Sequence, residues 1–105
     1  MVKLEPIILG GYTFTAVTVQ LPKTTLLSVS NDVGYIMCGA LDVGLLNEKL
    51  SERGIIAGRA TGVRTIEQLI YAPLESVTIK AKQLGIEPGT IGKDALIIMA
   101  KSISS

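Results

Sequence analysis

Tyr35-Ile36-Met37-Cys38-Gly39-Ala40-Leu41-Asp42 is the stretch on which the fold turns. Up to Cys38 the chain alternates like a strand, with Tyr35 and Met37 on one side and Ile36 and Cys38 on the other. From Leu41 the period changes. Leu41, Leu45, Leu46 and Leu50 fall at helical spacing, with Asn47, Glu48, Lys49 and Glu52 opposite them. Gly54 suits the position just past such a helix, where a left-handed backbone is common. Residues 55–62 then read as a buried strand. Strand, helix and strand make a β-α-β unit, which joins parallel strands and is nearly always right-handed.

Upstream, the sequence predicts three more strands. Residues 4–9 form the first, and Pro6 confines it to a sheet edge. Gly10-Gly11 is a hairpin-type turn. Residues 12–21 are rich in Thr, Val and aromatics, which suit a pleated surface. Pro22-Lys23 breaks this run, residues 25–30 form the third strand, and Asn31-Asp32 is the next turn before the strand over 33–38. Together they make an antiparallel meander.

The alternation in these strands is not that of a sheet with one wet face. Val17, Val19 and Leu21 point one way, while Tyr12, Phe14 and Ala16 point the other. Leu26 likewise opposes Leu27 and Val29. Helices can cover one apolar face. The other needs a partner.

Downstream the chain is helical. Thr65 with Gln68 fits a capping box opening a short helix to Tyr71. Pro73 suits the first turn of another helix, with Leu74, Val77, Ala81 and Leu84 as its stripe and Gly85 as its end. Glu87-Pro88-Gly89 is a turn. Thr90 is placed to cap a final helix whose core side carries Ile91, Ala95, Leu96 and Met99, and residues 102–105 fray. The expected fold class is α/β in the broad sense, α+β in detail: an N-terminal antiparallel meander, one β-α-β unit, and C-terminal helices packed on one face of the sheet.

A chain of 105 residues fits a single domain over 1–105, with 1–38 mainly strands and 39–105 the β-α-β unit and helices. Its residues are 48% hydrophobic and its mean hydropathy is +0.48, high for so small a domain with so much unavoidable surface. This too points to apolar surface buried against another chain, with residues 1–38 as the oligomerisation region. The net charge is +1 and the charges are scattered, without the basic stripe of a nucleic-acid binder. No apolar run is long enough to span a membrane. Residues 1–6 lack a secretory-signal pattern, which reads as cytoplasmic.

The sequence contains no histidine, which removes Ser-His-Asp triads, Cys-His dyads and the common zinc sites, and no metal site or cofactor is expected. Cys38 is the only cysteine, so no internal disulfide forms. Cys38 and Gly39 lie where a strand ends and a helix begins. Backbone N–H groups at a helix start favour anions, a thiolate among them. The neighbouring parallel strand leads into Arg59-Ala60-Thr61-Gly62-Val63-Arg64. Ligands of α/β sheets bind outside the carboxyl ends of strands. Cys38, Gly39, Arg59, Thr61 and Arg64 are therefore the candidate ligand-binding residues, and Cys38 the candidate catalytic one, for a small anionic molecule. The competing reading makes Cys38 a small core hydrophobe and pairs the arginines with carboxylates such as Asp42. Gly58, Ala60 and Gly62 share one face, where small residues admit a close backbone or ligand. Gly34 and Gly39 serve backbone geometry.

Several of these segments together resemble the YunC-like family, a bacterial and archaeal family of unknown function. The likeness rests on Phe14 to Val19, Leu21-Pro22-Lys23-Thr24, Ser30 through Asp42, Gly58-Arg59, Gly62-Val63-Arg64-Thr65, Ala72 to Val77 and Leu84-Gly85-Ile86. The resemblance implies an N-terminal β-sheet region that mediates tetramer formation. It implies no established activity, so no catalytic residue is carried over. Two functions stand open: an oligomeric domain, enzymatic or not, with a small anion site near Cys38, or a non-catalytic structural or interaction module with Cys38 in its core.

Overall fold

The computed structural model describes residues 1–39 and 54–104. The expected helix from Leu41 and the place of Asp42 lie outside the described residues. Four strands form the meander: β1 (Val2–Leu9), β2 (Tyr12–Leu21), β3 (Thr24–Ser30) and β4 (Gly34–Met37). They pair antiparallel in sequence order. The turns are where the turn-forming residues predict them. Gly10 and Gly11 both take positive φ, and Asn31 Oδ1 accepts from the N–H groups of Val33 and Gly34. The fifth strand, β5 (Ile56–Arg59), pairs parallel to β4, with Gly34 opposite Ile56 and Met37 opposite Arg59. The β-strand part of the β-α-β unit is thus present as expected.

The rest of the chain departs from its periodicity in one stretch. The helix α1 (Ile66–Tyr71) is capped by Thr65, whose side chain accepts from the Gln68 N–H, and Gln68 Oε1 accepts in return from Arg64 N–H. The helix expected to begin at Pro73 does not begin there. Pro73 bridges to Ile91, and Ser76–Val77 form a sixth strand, β6, antiparallel to β5 at Gly58 and Arg59. Helix α2 spans only Ile79–Gln83. Its cap, Thr78, is 2% exposed, and its hydroxyl oxygen accepts from Ala57 on β5 and from Ala81 in the helix. That double use holds the chain extended until Thr78 and starts the helix after it. Gly85 ends it with φ +93°. Thr90 does not cap the last helix either. Its hydroxyl oxygen accepts from Glu87 N–H, closing the Pro88-Gly89 turn, and α3 (Gly92–Ser104) follows.

The sheet order is β1-β2-β3-β4-β5-β6. On one face Phe14, Leu27, Val29 and Ile36 pack under Leu69, Leu96 and Met99 from α1 and α3, all almost fully buried. The helices therefore cover one face, as the α+β reading requires. On the other face a small cluster of Ala57, Tyr35, Met37 and Ile55 sits over β4 and β5. Over β1–β3 that second face carries Val2, Leu4, Pro6 and Ile8, the odd-numbered residues of β2 from 13 to 21, and the even-numbered residues of β3. None of them is charged. Val2, Leu4 and Ile8 are 63%, 67% and 73% exposed. Among the described residues, no helix is long and apolar enough to cross a membrane.

Candidate functional site

The parallel pair β4–β5 brings its carboxyl ends together, and Ala60 N–H extends the ladder to the carbonyl of Met37. Strand alternation then sends Cys38 and Gly39 to opposite sides. Cys38 is 6% exposed and belongs to the main core. Its N–H donates to the Leu27 carbonyl. Its sulfur receives the Leu27 N–H at 3.5 Å and lies 3.9 Å from the carbonyl oxygen of Thr25. Both polar contacts tie it to β3, inside the sheet. Cys38 should therefore resist a thiol reagent such as DTNB in the native protein and react only on opening or unfolding. A rate at least about 100-fold below that in denaturant is expected, since reaction has to wait for local opening. Fast stoichiometric labelling under native conditions would contradict the core placement.

Gly39 faces the other way. A Cβ there would lie 3.8 Å from Thr61 Cγ2 and 4.0 Å from Arg59 Nη2, so Gly39, Arg59 and Thr61 converge. Gly39 and Thr61 are exposed and Arg59 is half-buried. Arg59 Nε stands 3.7 Å from Glu75 Oε2, and Glu75 is held there by its N–H donating to the Arg59 carbonyl. The pair is too long for a hydrogen bond. Arg59 Nε is buried without a hydrogen-bond partner. With side chains 32% and 47% exposed, such a pair adds little stability, roughly 0–1 kcal/mol. Small residues serve packing at Gly58 in β5, where an added Cβ would meet Leu74 Cδ1 at 2.6 Å, and just past it at fully buried Ala60. Gly62 lies beyond the strand with φ +74°, and an added Cβ there would meet nothing among the described residues.

Arg64 is exposed and separate from this group. It lines a recess of about 420 Å³ with Val63, with Lys23 from the β2–β3 turn and with Thr24 and Thr25 at the start of β3. Cys38, Gly39, Arg59 and Thr61 do not line it. The five candidate residues thus fall in three places: the core for Cys38, one surface for Gly39, Arg59 and Thr61, and the recess for Arg64. Sequence reasoning missed Lys23, Thr24 and Thr25, having read Pro22-Lys23 only as a break. The signal was a lysine following proline in a tight turn, where glycine or asparagine is usual. Lys23 takes φ +64°, the one positive φ outside glycine among the described residues. Those residues also hold no group of three or more His, Cys, Asp or Glu able to hold a metal ion.

Comparison with known proteins adds kinship. Residues 37–99 match the family described as "Domain of unknown function (DUF1805)". Over 101 residues, 96% of this chain and all of its relative, the sequence is 66% identical to the uncharacterized protein YunC of Bacillus subtilis (strain 168). The fold is similar to the crystal structure of a protein of unknown function from Thermoplasma acidophilum, with a TM-score of 0.84 at 27% identity, covering 94% of this chain and 93% of that one. The family match spans the carboxyl ends of β4 and β5, the recess residues Val63 and Arg64, and the helices beneath the sheet, and the near-full-length identity extends it through the meander: the chain belongs to the DUF1805, YunC-like family.

Proposed function

We propose that the chain works as a homo-oligomer, a single domain over residues 1–105 whose N-terminal strands stack face to face with those of another copy. The observation that supports this is the uncharged, apolar face over β1–β3, with Val2, Leu4 and Ile8 more than 60% exposed. Contiguous apolar surface of this kind marks an interaction site. The contact is between faces, not edges. Pro6 in the middle of β1 removes a donor from the sheet's free edge, which blunts strand-to-strand addition. The same patch on both copies makes a two-fold contact, and a second, different two-fold contact between such dimers makes the tetramer that YunC-like kinship suggests. Sedimentation velocity tests the reading. A mass two or four times the 11.1 kDa of the chain is expected at micromolar concentration. A stable monomer there would refute it.

A second reading is that the carboxyl ends of β4 and β5 bind a small anionic molecule, as such strand ends do in α/β sheets. It is favoured by two arginines at that end of the sheet, Arg59 with a buried Nε that lacks a hydrogen-bond partner and Arg64 on an open recess. Cys38, tied to β3 inside the core, has no chemical role in either reading.

A further inference from the structure

We infer that the recess between the β2–β3 turn and the Val63-Arg64 segment is a binding site for the phosphate group of a small phosphomonoester, gripped by Lys23 and Arg64. This rests on the second reading above and moves its centre from Arg59 to Arg64. Three observations carry it. The first is charge. Among the described residues Lys23 and Arg64 form no ion pair, and none of those lining the recess they share with Thr24, Thr25 and Val63 is a carboxylate. Glu5 lines an adjoining recess that shares Thr25 and Arg64, and there it already faces Lys3 at 4.0 Å.

The second is backbone strain. Lys23 holds φ +64°, a conformation that costs an L-residue energy and that glycine adopts freely. A strained residue whose side chain lines a recess points to a use for that side chain. The third is chemistry and size. A guanidinium fork, a point-charge ammonium and threonine hydroxyls match the several oxygens of a phosphate. The recess volume of about 420 Å³ is in the range of small-molecule sites and far exceeds one phosphate, leaving room beside Val63 for the organic part of an ester.

The test is titration of ¹⁵N-labelled protein with phenyl phosphate and, separately, inorganic phosphate, at constant ionic strength. Saturable amide shifts are expected at residues 23–25 and 63–65. Phenyl phosphate should bind about fivefold more tightly than inorganic phosphate. Arg64→Gln and Lys23→Gly should each weaken binding about tenfold or more, a loss set by the removed charge-assisted bonds. Lys23→Gly should at the same time raise Tm, so its loss of binding is not a loss of fold. Saturable shifts centred on Gly39, Arg59 and Thr61 would overturn this inference and leave the anion reading standing. No saturable shift anywhere would sink both. Unchanged binding in Arg64→Gln or Lys23→Gly would overturn the inference, and equal affinity for the two probes would overturn the ester assignment.

Discussion

Gly34→Ala should lower the stability of the folded chain by about 3 kcal/mol, the upper part of the range for overpacked sites. For a domain of this size that is a fall in Tm of roughly 10–20 °C. The cause is the parallel pairing of β4 with β5. Gly34 lies opposite Ile56, and a Cβ at Gly34 would run into the Ile56 carbonyl oxygen and crowd its side chain. Neither side is able to yield cheaply. Gly34 is pinned by its N–H to Asn31 Oδ1 and by its carbonyl to Asn31 N–H. The obstacle is backbone, so no rotamer change relieves it. Gly58→Ala makes the matching control, because its Cβ would meet only the tip of Leu74, a flexible side chain. Thermal unfolding of the two variants should show the Gly34 variant clearly the less stable. A Gly34 variant as stable as the wild type would mean that β4 and β5 are not held this closely.

Leu4→Lys combined with Val17→Lys should dissociate the assembly. The two residues are directly opposite in the β1–β2 register, at the centre of the uncharged face. Burying one Val or Leu side chain is worth about 1.5–3 kcal/mol. A two-fold contact counts each loss twice, so even one residue at about 2 kcal/mol per copy weakens a dimer about 1,000-fold. The added lysines must also be desolvated against their own symmetry mates. Leu4 is 67% exposed within one copy, so the chain itself should stay folded. Light scattering should report monomers and circular dichroism an intact fold. An unchanged mass at micromolar concentration would place the contact elsewhere.

The meander was legible because its turns have their own chemistry. Gly10-Gly11 supplies positive φ and Asn31 caps its own turn, so the strands between them had only one way to run. The two-sided apolar pattern was legible for the same reason, since a fixed register fixes which residues share a face. The stretch 73–78 was not. Leu74, Val77 and Ala81 do sit at helical spacing, and all three are buried. What overrides the pattern is tertiary: Val77 pairs with Gly58 and Thr78 with Ala57, partners about twenty residues away. The candidate site divided likewise. That Cys38 shares a face with Ile36 follows from alternation alone, and that face is the core. That Lys23 and Arg64 face one recess does not follow from any local pattern, because the fold brings together the turn after β2 and the loop after β5, which are far apart in the chain.

In the proposed assembly, copies of this chain meet through the bare face of β1–β3. An isotope-filtered NOE experiment on mixed ¹³C-labelled and unlabelled protein reads this contact alone, since only contacts between copies give signals. The expected result is intermolecular cross-peaks from the methyl groups of Leu4, Ile8, Val17 and Val19. An assembled protein with no intermolecular cross-peaks at these methyls, or with all of them on the helical face, would contradict it.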